Sequence, residues 1–268
     1  SFLQELAALE NNSMATEEDI AKLRSDIEAL EEELLRLQAS AFEQEGNSVR
    51  QFLGDGNRQY LSGLFLGGQR ILILLDSSAS MLDSTLVNII RTRNMDDDRK
   101  REAPKWSRVV KTVDWISTQL PITSQYQIWS FNADYASIIP DTEDRWLEAA
   151  DRDQLNVAIE NVKRLVPENG TNLTQIFRAV RNISPPPDNI FLITDGLPTL
   201  GDRNTSNTLV TPSERLELYE EATEELSPGT PINVILMPLE GDPSAAAAYW
   251  QLAQYTKGSF LTPSRDWP

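Results

Sequence analysis

The apolar positions along this chain follow two different periods. From Phe2 to Ala41 they recur at alternating spacings of three and four. One heptad register holds them, with Leu6, Ile20, Ile27, Leu34 and Ala41 at a and Phe2, Leu9, Leu23, Leu30 and Leu37 at d. Ser13 and Thr16 interrupt the seam, Asn11-Asn12-Ser13 marks a break, and Thr16 with Asp19 suits the cap of a second helix. A narrow a/d seam with Glu31-Glu32-Glu33 outside it predicts a coiled-coil segment over residues 1–45, and Ile at a with Leu at d favours a parallel dimer. Docking of this helix on its own globular part, or on a partner helix, are the alternatives. Residues 46–58, with three glycines and few apolar positions, predict a linker.

Beyond the linker the pattern becomes one of short apolar runs separated by amphipathic stretches. Tyr60 to Leu66 suits an edge strand, joined through Gly67-Gly68 to Ile71–Leu75, an unbroken aliphatic run that predicts a strand buried on both faces. Trp106, Val109, Val110, Val113, Ile116 and Leu120 repeat like one buried helix face, and Pro121 stops it. Tyr126–Phe131 and Tyr135–Ile139 predict a hairpin. Helices follow at Leu155–Leu165 and Leu173–Ile183, then a strand at Ile190–Thr194. A helix capped by Ser213 precedes a strand at Ile232–Met237, a helix at Ala245–Tyr255 and a last strand at Ser259–Thr262. Strands alternating with helices predict an α/β fold over residues 59–268, with a doubly wound, mostly parallel sheet covered on both faces. Residues 82–104 interrupt the alternation with Leu86, Val87, Ile89 and Ile90 followed by the charged run Asp96–Glu102. The stretch is either a solvated insertion or a wall beside the first loop that helps choose a partner.

Composition narrows the chemistry. The chain has no Cys and no His, which removes disulfides, thiol catalysis, His-ligated zinc and a Ser-His-Asp triad. A net charge of −17 argues against nucleic acid and against an anionic membrane surface, and favours a cation or a basic protein surface. No run reaches the ~18 apolar residues of a membrane span. The start at Ser1 leaves room for a membrane anchor ahead of it.

Candidate chemistry sits where apolar runs end. Asp76, Ser78 and Ser80 follow the first strand, Thr171 lies in Asn169-Gly-Thr-Asn172 before a helix, and Asp195 follows Ile190–Thr194. Carboxyl ends of strands are where open α/β sheets bind ligands. Two carboxylates and three hydroxyls, without nitrogen or sulfur, form a donor set suited to Mg2+ or Mn2+. Any one of these loops alone is ordinary turn and cap chemistry; their joint occurrence in this order is the stronger signal.

With these residues in place, the chain from about Tyr60 onward resembles a von Willebrand factor type A domain, and Asp76-Ser-Ser-Ala-Ser80, Thr171 and Asp195 match all five positions of that family's metal-ion-dependent adhesion site. Gly196 fits its tight turn. The resemblance implies a Rossmann-like fold, direct metal coordination by Ser78, Ser80 and Thr171, and Asp76 and Asp195 acting largely through water. It implies a coordination position filled by a partner protein's Asp or Glu. Two features depart from the family: the long passage from Met81 to Lys105, and the end of the sequence soon after the last strand. The family's final helix has no visible counterpart, so affinity switching through that helix is not expected here.

The expected function is therefore a divalent-cation-dependent protein-interaction module, not an enzyme, with the coiled coil serving self-association or docking. The alternative is a structural subunit of a larger membrane-associated complex in which the metal mainly stabilises loops. A dehalogenase-like hydrolase would need an Asp where Ser78 stands, and no Gly-x-x-x-x-Gly-Lys-Ser/Thr nucleotide loop is present. The absence of Cys, the resemblance and the Ser1 start together suggest the periplasmic part of a membrane-anchored bacterial protein, with a cytoplasmic address left open.

Overall fold

A computed structural model describes residues 67–202, 210–264 and 267. The predicted coiled coil, linker and Tyr60–Leu66 strand lie outside these residues. Among the described residues, seven strands form one sheet: β1 Arg70–Asp76, β2 Gln125–Phe131, β3 Tyr135–Ser137, β4 Leu147–Glu148, β5 Asn189–Thr194, β6 Ile232–Leu236 and β7 Phe260–Leu261. Their order is β3-β2-β1-β5-β6-β7, with β4 beside β2. β1 pairs in parallel with both β2 and β5, β5 with β6, and β6 with β7; only β3 and β4 run antiparallel to β2.

The apolar run of β1 is continuous because both of its faces are covered. Ile71, Ile73 and Leu75 point to one side, where they join Trp106, Val109, Val113 and Ile116 of helix α3 (Pro104–Thr118) and Leu155, Ile159 and Val162 of helix α4 (Arg152–Arg164). Leu72 and Leu74 point to the other side, toward Leu173, Ile176 and Phe177 of helix α5 (Leu173–Asn182), Tyr219 of helix α6 (Pro212–Glu224) and Tyr249 and Leu252 of helix α7 (Ala245–Thr256). A period of two in the strand thus feeds two cores, one on each face.

Local sequence sets the helix ends. Pro104 opens α3 at a position where its missing N–H is no loss. Asp151 and Asn172 cap α4 and α5 by accepting hydrogen bonds from the backbone N–H of Gln154 and Gln175 at 3.0 and 3.1 Å. Helix α6 corrects the expected cap: Thr211, not Ser213, is the N-cap. Its hydroxyl accepts from the Glu214 N–H while Glu214 accepts from the Thr211 N–H, and Pro212 takes the first helical position. Ser213 lies one residue inside. Lys257 ends α7 in the left-handed region at φ 60°, and at Gly258 a side chain would collide with the Ile232 backbone.

The stretch 82–104 contains two short helices, α1 (Leu86–Thr92) and α2 (Asp97–Arg101). Asp83 nucleates the first by accepting from Thr85 N–H and Oγ1 at 2.9 and 3.0 Å. Ile89 anchors α1 while Leu86, Val87 and Ile90 face outward, so the region is structured and also largely solvent-facing. Near the other end of the chain, Trp267 is buried and meets Trp115 of α3 edge-on at 5.3 Å.

Candidate functional site

The chain leaves β1 toward β2 on one side and returns to β5 on the other, so the point where strand order reverses lies between β1 and β5. A crevice forms at such a point because the two connecting loops diverge to opposite faces. Asp76 ends β1 and Asp195 directly follows β5, which places both carboxylates there.

Three loops are stitched around them by backbone hydrogen bonds. Ala79 N–H donates to Asn169 O and Glu168 N–H to Ser77 O, tying the first loop to the second. Thr199 and Leu200 N–H both donate to Thr171 O, while Thr171 N–H donates to Thr199 Oγ1 at 3.1 Å, tying the second to the third. Asn169 takes φ 64°, a left-handed conformation that Asn tolerates. Gly170 and Gly196 both sit at close approaches to side chains of the third loop and its supports. A Cβ on the former would come within 2.5 Å of Thr199 Oγ1, and on the latter within 2.9 Å of Arg215 Nη2 and Asp242 Oδ2. The ion pair of those last two residues, at 2.8 Å, pins the third loop: Asp242 accepts from Leu197 N–H and Arg215 donates to Leu197 O.

All five expected oxygen-bearing side chains converge within this frame. Ser78 Oγ and Ser80 Oγ are 2.9 Å apart, and Ser80 Oγ donates to Asp195 Oδ1 at 2.8 Å. Thr171 Oγ1 donates to Asp76 Oδ2 at 3.3 Å, and Ser78 N–H donates to Asp76 Oδ1 at 2.9 Å. Asp76, Ser78, Thr171 and Asp195 are buried; Ser80 is half-buried and is the most accessible of the five.

Two residues that sequence reasoning passed over belong to the same network. Thr194 Oγ1 donates to Asp76 Oδ2 at 2.8 Å. Lys105, in the first turn of α3, places Nζ 2.6 Å from Asp195 Oδ2, and both side chains are 2% exposed. That ammonium also donates to Ser80 O at 3.1 Å and Asp83 O at 3.0 Å. A signal for Lys105 was available: it lies four residues before Val109 on the apolar stripe of α3, where a lysine needs a partner.

Electrostatics favour a cation here. Burial, reinforced by the neighbouring Asp195 charge, raises the Asp76 carboxyl to about 6, against the lowering pull of its hydrogen bonds from Ser78 and Thr194. Two buried carboxylates face one ammonium, so the pocket keeps an excess of negative charge that a hard cation would relieve. The donor set is oxygen only, which fits Mg2+ or Mn2+ better than a thiophilic metal. Among the described residues no cluster of three or more acidic side chains suited to a metal occurs; any ion held here would rely on hydroxyls as well as on the two aspartates.

Residues 71–197 match the family model of the von Willebrand factor type A domain. No curated protein matches the chain. Among solved structures, a von Willebrand factor type A protein from Catenulispora acidiphila is similar at 15% identity and TM-score 0.49, over 74% of this chain and 39% of that one. A conserved hypothetical protein, BatB, from Bacteroides thetaiotaomicron is similar at 18% identity and TM-score 0.39, over 72% of this chain and 89% of that one. The proximal thread matrix protein of the mussel byssus, in a structure with a zinc-occupied MIDAS motif, is similar at 17% identity and TM-score 0.39, over 74% of this chain and 44% of that one. The chain therefore spans less than half the length of the Catenulispora and mussel proteins it resembles.

Proposed function

On the premise of a von Willebrand type A-like α/β fold, we propose that this chain is a protein-interaction module that binds its partner through a divalent cation, Mg2+ or Mn2+. The observation that carries this reading is the convergence of Asp76, Ser78, Ser80, Thr171 and Asp195 from three loops at the reversal point of the sheet. Ser78, Ser80 and Thr171 would hold the ion directly. Asp76 and Asp195 would contribute charge and orient water, their positions fixed by Thr194 and Lys105. The ion would supply a Lewis-acidic point for an anionic oxygen. With few carboxylates in direct contact it stays electron-poor, and a partner's Asp or Glu is the ligand of matching charge and hardness.

The insertion gives this partner a second foothold. Leu86, Val87 and Ile90 are 51%, 76% and 60% exposed. Arg91 and Arg93 are exposed and have no ion-pair partner among the described residues, on a chain of net charge −17. An acidic segment with adjacent apolar side chains complements both features. The amino-terminal heptads would raise avidity by self-association; light scattering that finds a monomer for the full chain would remove this part of the proposal.

A binding role without turnover is the economical reading, because the chain has no His or Cys and carries Ser78 where a phosphatase of this topology needs its acid/base Asp. Metal-dependent phosphate-ester hydrolysis that disappears in Asp76→Asn would overturn it. The direct test of the module is a pull-down with Mg2+ repeated with chelator, alongside calorimetric titration of Mn2+ into wild type, Ser78→Ala and Thr171→Ala. The variants should fold normally and bind the ion on the order of 10–100-fold more weakly. Equal metal affinity in all three would sink the assignment.

A further inference from the structure

We propose that Lys105 is a resident counter-cation of the site, a positioning residue that lowers the site's affinity for metal and reserves a positive charge for the partner's carboxylate. The inference rests on the metal-dependent reading and deepens it. Lys105 Nζ has three acceptors, Asp195 Oδ2, Ser80 O and Asp83 O, and its side chain is shielded from water. It therefore touches a carboxylate of the site and the backbone of the loop that carries Ser80. The Asp83 carboxylate is turned away, toward Thr85 and Asn88, so it does not compete for the ammonium.

The charge balance follows from these contacts. Two ionised aspartates, Asp76 and Asp195, would by themselves neutralise a divalent ion, and a neutral site has little call for another anion. With the Lys105 ammonium on Asp195, one positive charge is left over when the ion is bound. An incoming carboxylate cancels it in a buried setting, where charges interact several-fold more strongly than in water. The same ammonium opposes entry of the metal and holds Asp195 Oδ1 toward Ser80 Oγ. Lys105 thus exchanges metal affinity for affinity toward an acidic ligand.

The test uses the full chain with Mn2+ alone, and then acetate as the carboxylate probe, read by the water-proton relaxation of bound Mn2+. Lys105→Met should bind Mn2+ at least about tenfold more tightly and acetate at least about tenfold more weakly than wild type. With chelator, the variant should melt lower, because Asp195 is left buried without its partner, and Mn2+ should restore it. Lys105→Gln, which keeps donors but no charge, should behave like Lys105→Met, and Lys105→Arg should move both affinities back toward wild type. A merely structural lysine would weaken metal and acetate together. Folded variants that bind Mn2+ less tightly than wild type, or that leave acetate affinity unchanged, overturn the proposal alone. A wild-type chain that takes up no Mn2+ sinks it together with the adhesive reading.

Discussion

Asp76 shows how a single buried carboxyl links pH, metal and stability. Its pKa rises to about 6 in the folded chain from an ordinary value of 3.8, chiefly through burial and secondarily through Asp195. The folded state therefore holds this proton more tightly than the unfolded chain does. The resulting stabilisation is fully present below about pH 4 and is lost as pH rises through about 6. A shift of this size corresponds to on the order of 3 kcal/mol. In chelator, thermal stability should thus fall between about pH 4 and 6, and Asp76→Asn should flatten that slope; an unchanged slope in the variant would rule out Asp76 as its source. With saturating Mg2+ the trend should weaken, because the ion favours the ionised carboxylate and displaces the proton. The residue scale is also where sequence reasoning was least complete. Ser78, Ser80, Thr171 and Asp195 announced themselves as polar side chains at strand and helix boundaries. Thr194 did not, since a strand threonine is commonplace until the fold brings its partner to it, and Lys105 did so only through its place on the apolar stripe of α3.

At the scale of elements, local chemistry and packing make separable contributions. The reciprocal pair Thr211 and Glu214 satisfies two backbone N–H groups at the start of α6. Thr211→Ala should cost about 1 kcal/mol in denaturant unfolding, whereas Ser213→Ala, one residue inside the helix, should cost far less. Phe177 of α5 is fully buried against the second face of the sheet, and Phe177→Ala should cost about 3–5 kcal/mol. Helix α1 presents the opposite case. Val87 and Ile90 lie outside the core, so Val87→Asp with Ile90→Asp should leave the melting temperature nearly unchanged while weakening metal-dependent capture of an acidic partner. Loss of folding in that double variant would mean that α1 is a structural strap. The strands of the sheet interior were legible as unbroken apolar runs, buried on both faces, and the longer helices because each carries a period of 3.6 over enough residues to stand out. The two-residue β4 and the short helices α1 and α2 carry too few, and they exist because neighbouring chain gives them a place: β4 through β2, α1 through Asp83 and Ile89.

For the molecule as a whole, a ligand that binds only the folded chain must raise its stability. An ion present at a hundred times its dissociation constant contributes about 2.7 kcal/mol, which for a domain of this size corresponds to a rise of roughly 5–10 °C in melting temperature. Mg2+ should produce such a rise in wild type and a much smaller one in Thr171→Ala; identical shifts would indicate an ion bound elsewhere. What the sequence determined by itself was the α/β class and the residue types of the site, because both depend on local order: apolar runs long enough to be buried on two faces, and oxygen-bearing residues where those runs end. What only the tertiary structure decided was the strand order that sets Asp76 beside Asp195, the stitching of three distant loops, and the burial of Lys105 against one of the two carboxylates. Those contacts join residues up to 118 positions apart, and no pattern along the chain encodes a distance in space. It is the parallel pairing of β1 with β5 that turns separate turn residues into one charged pocket.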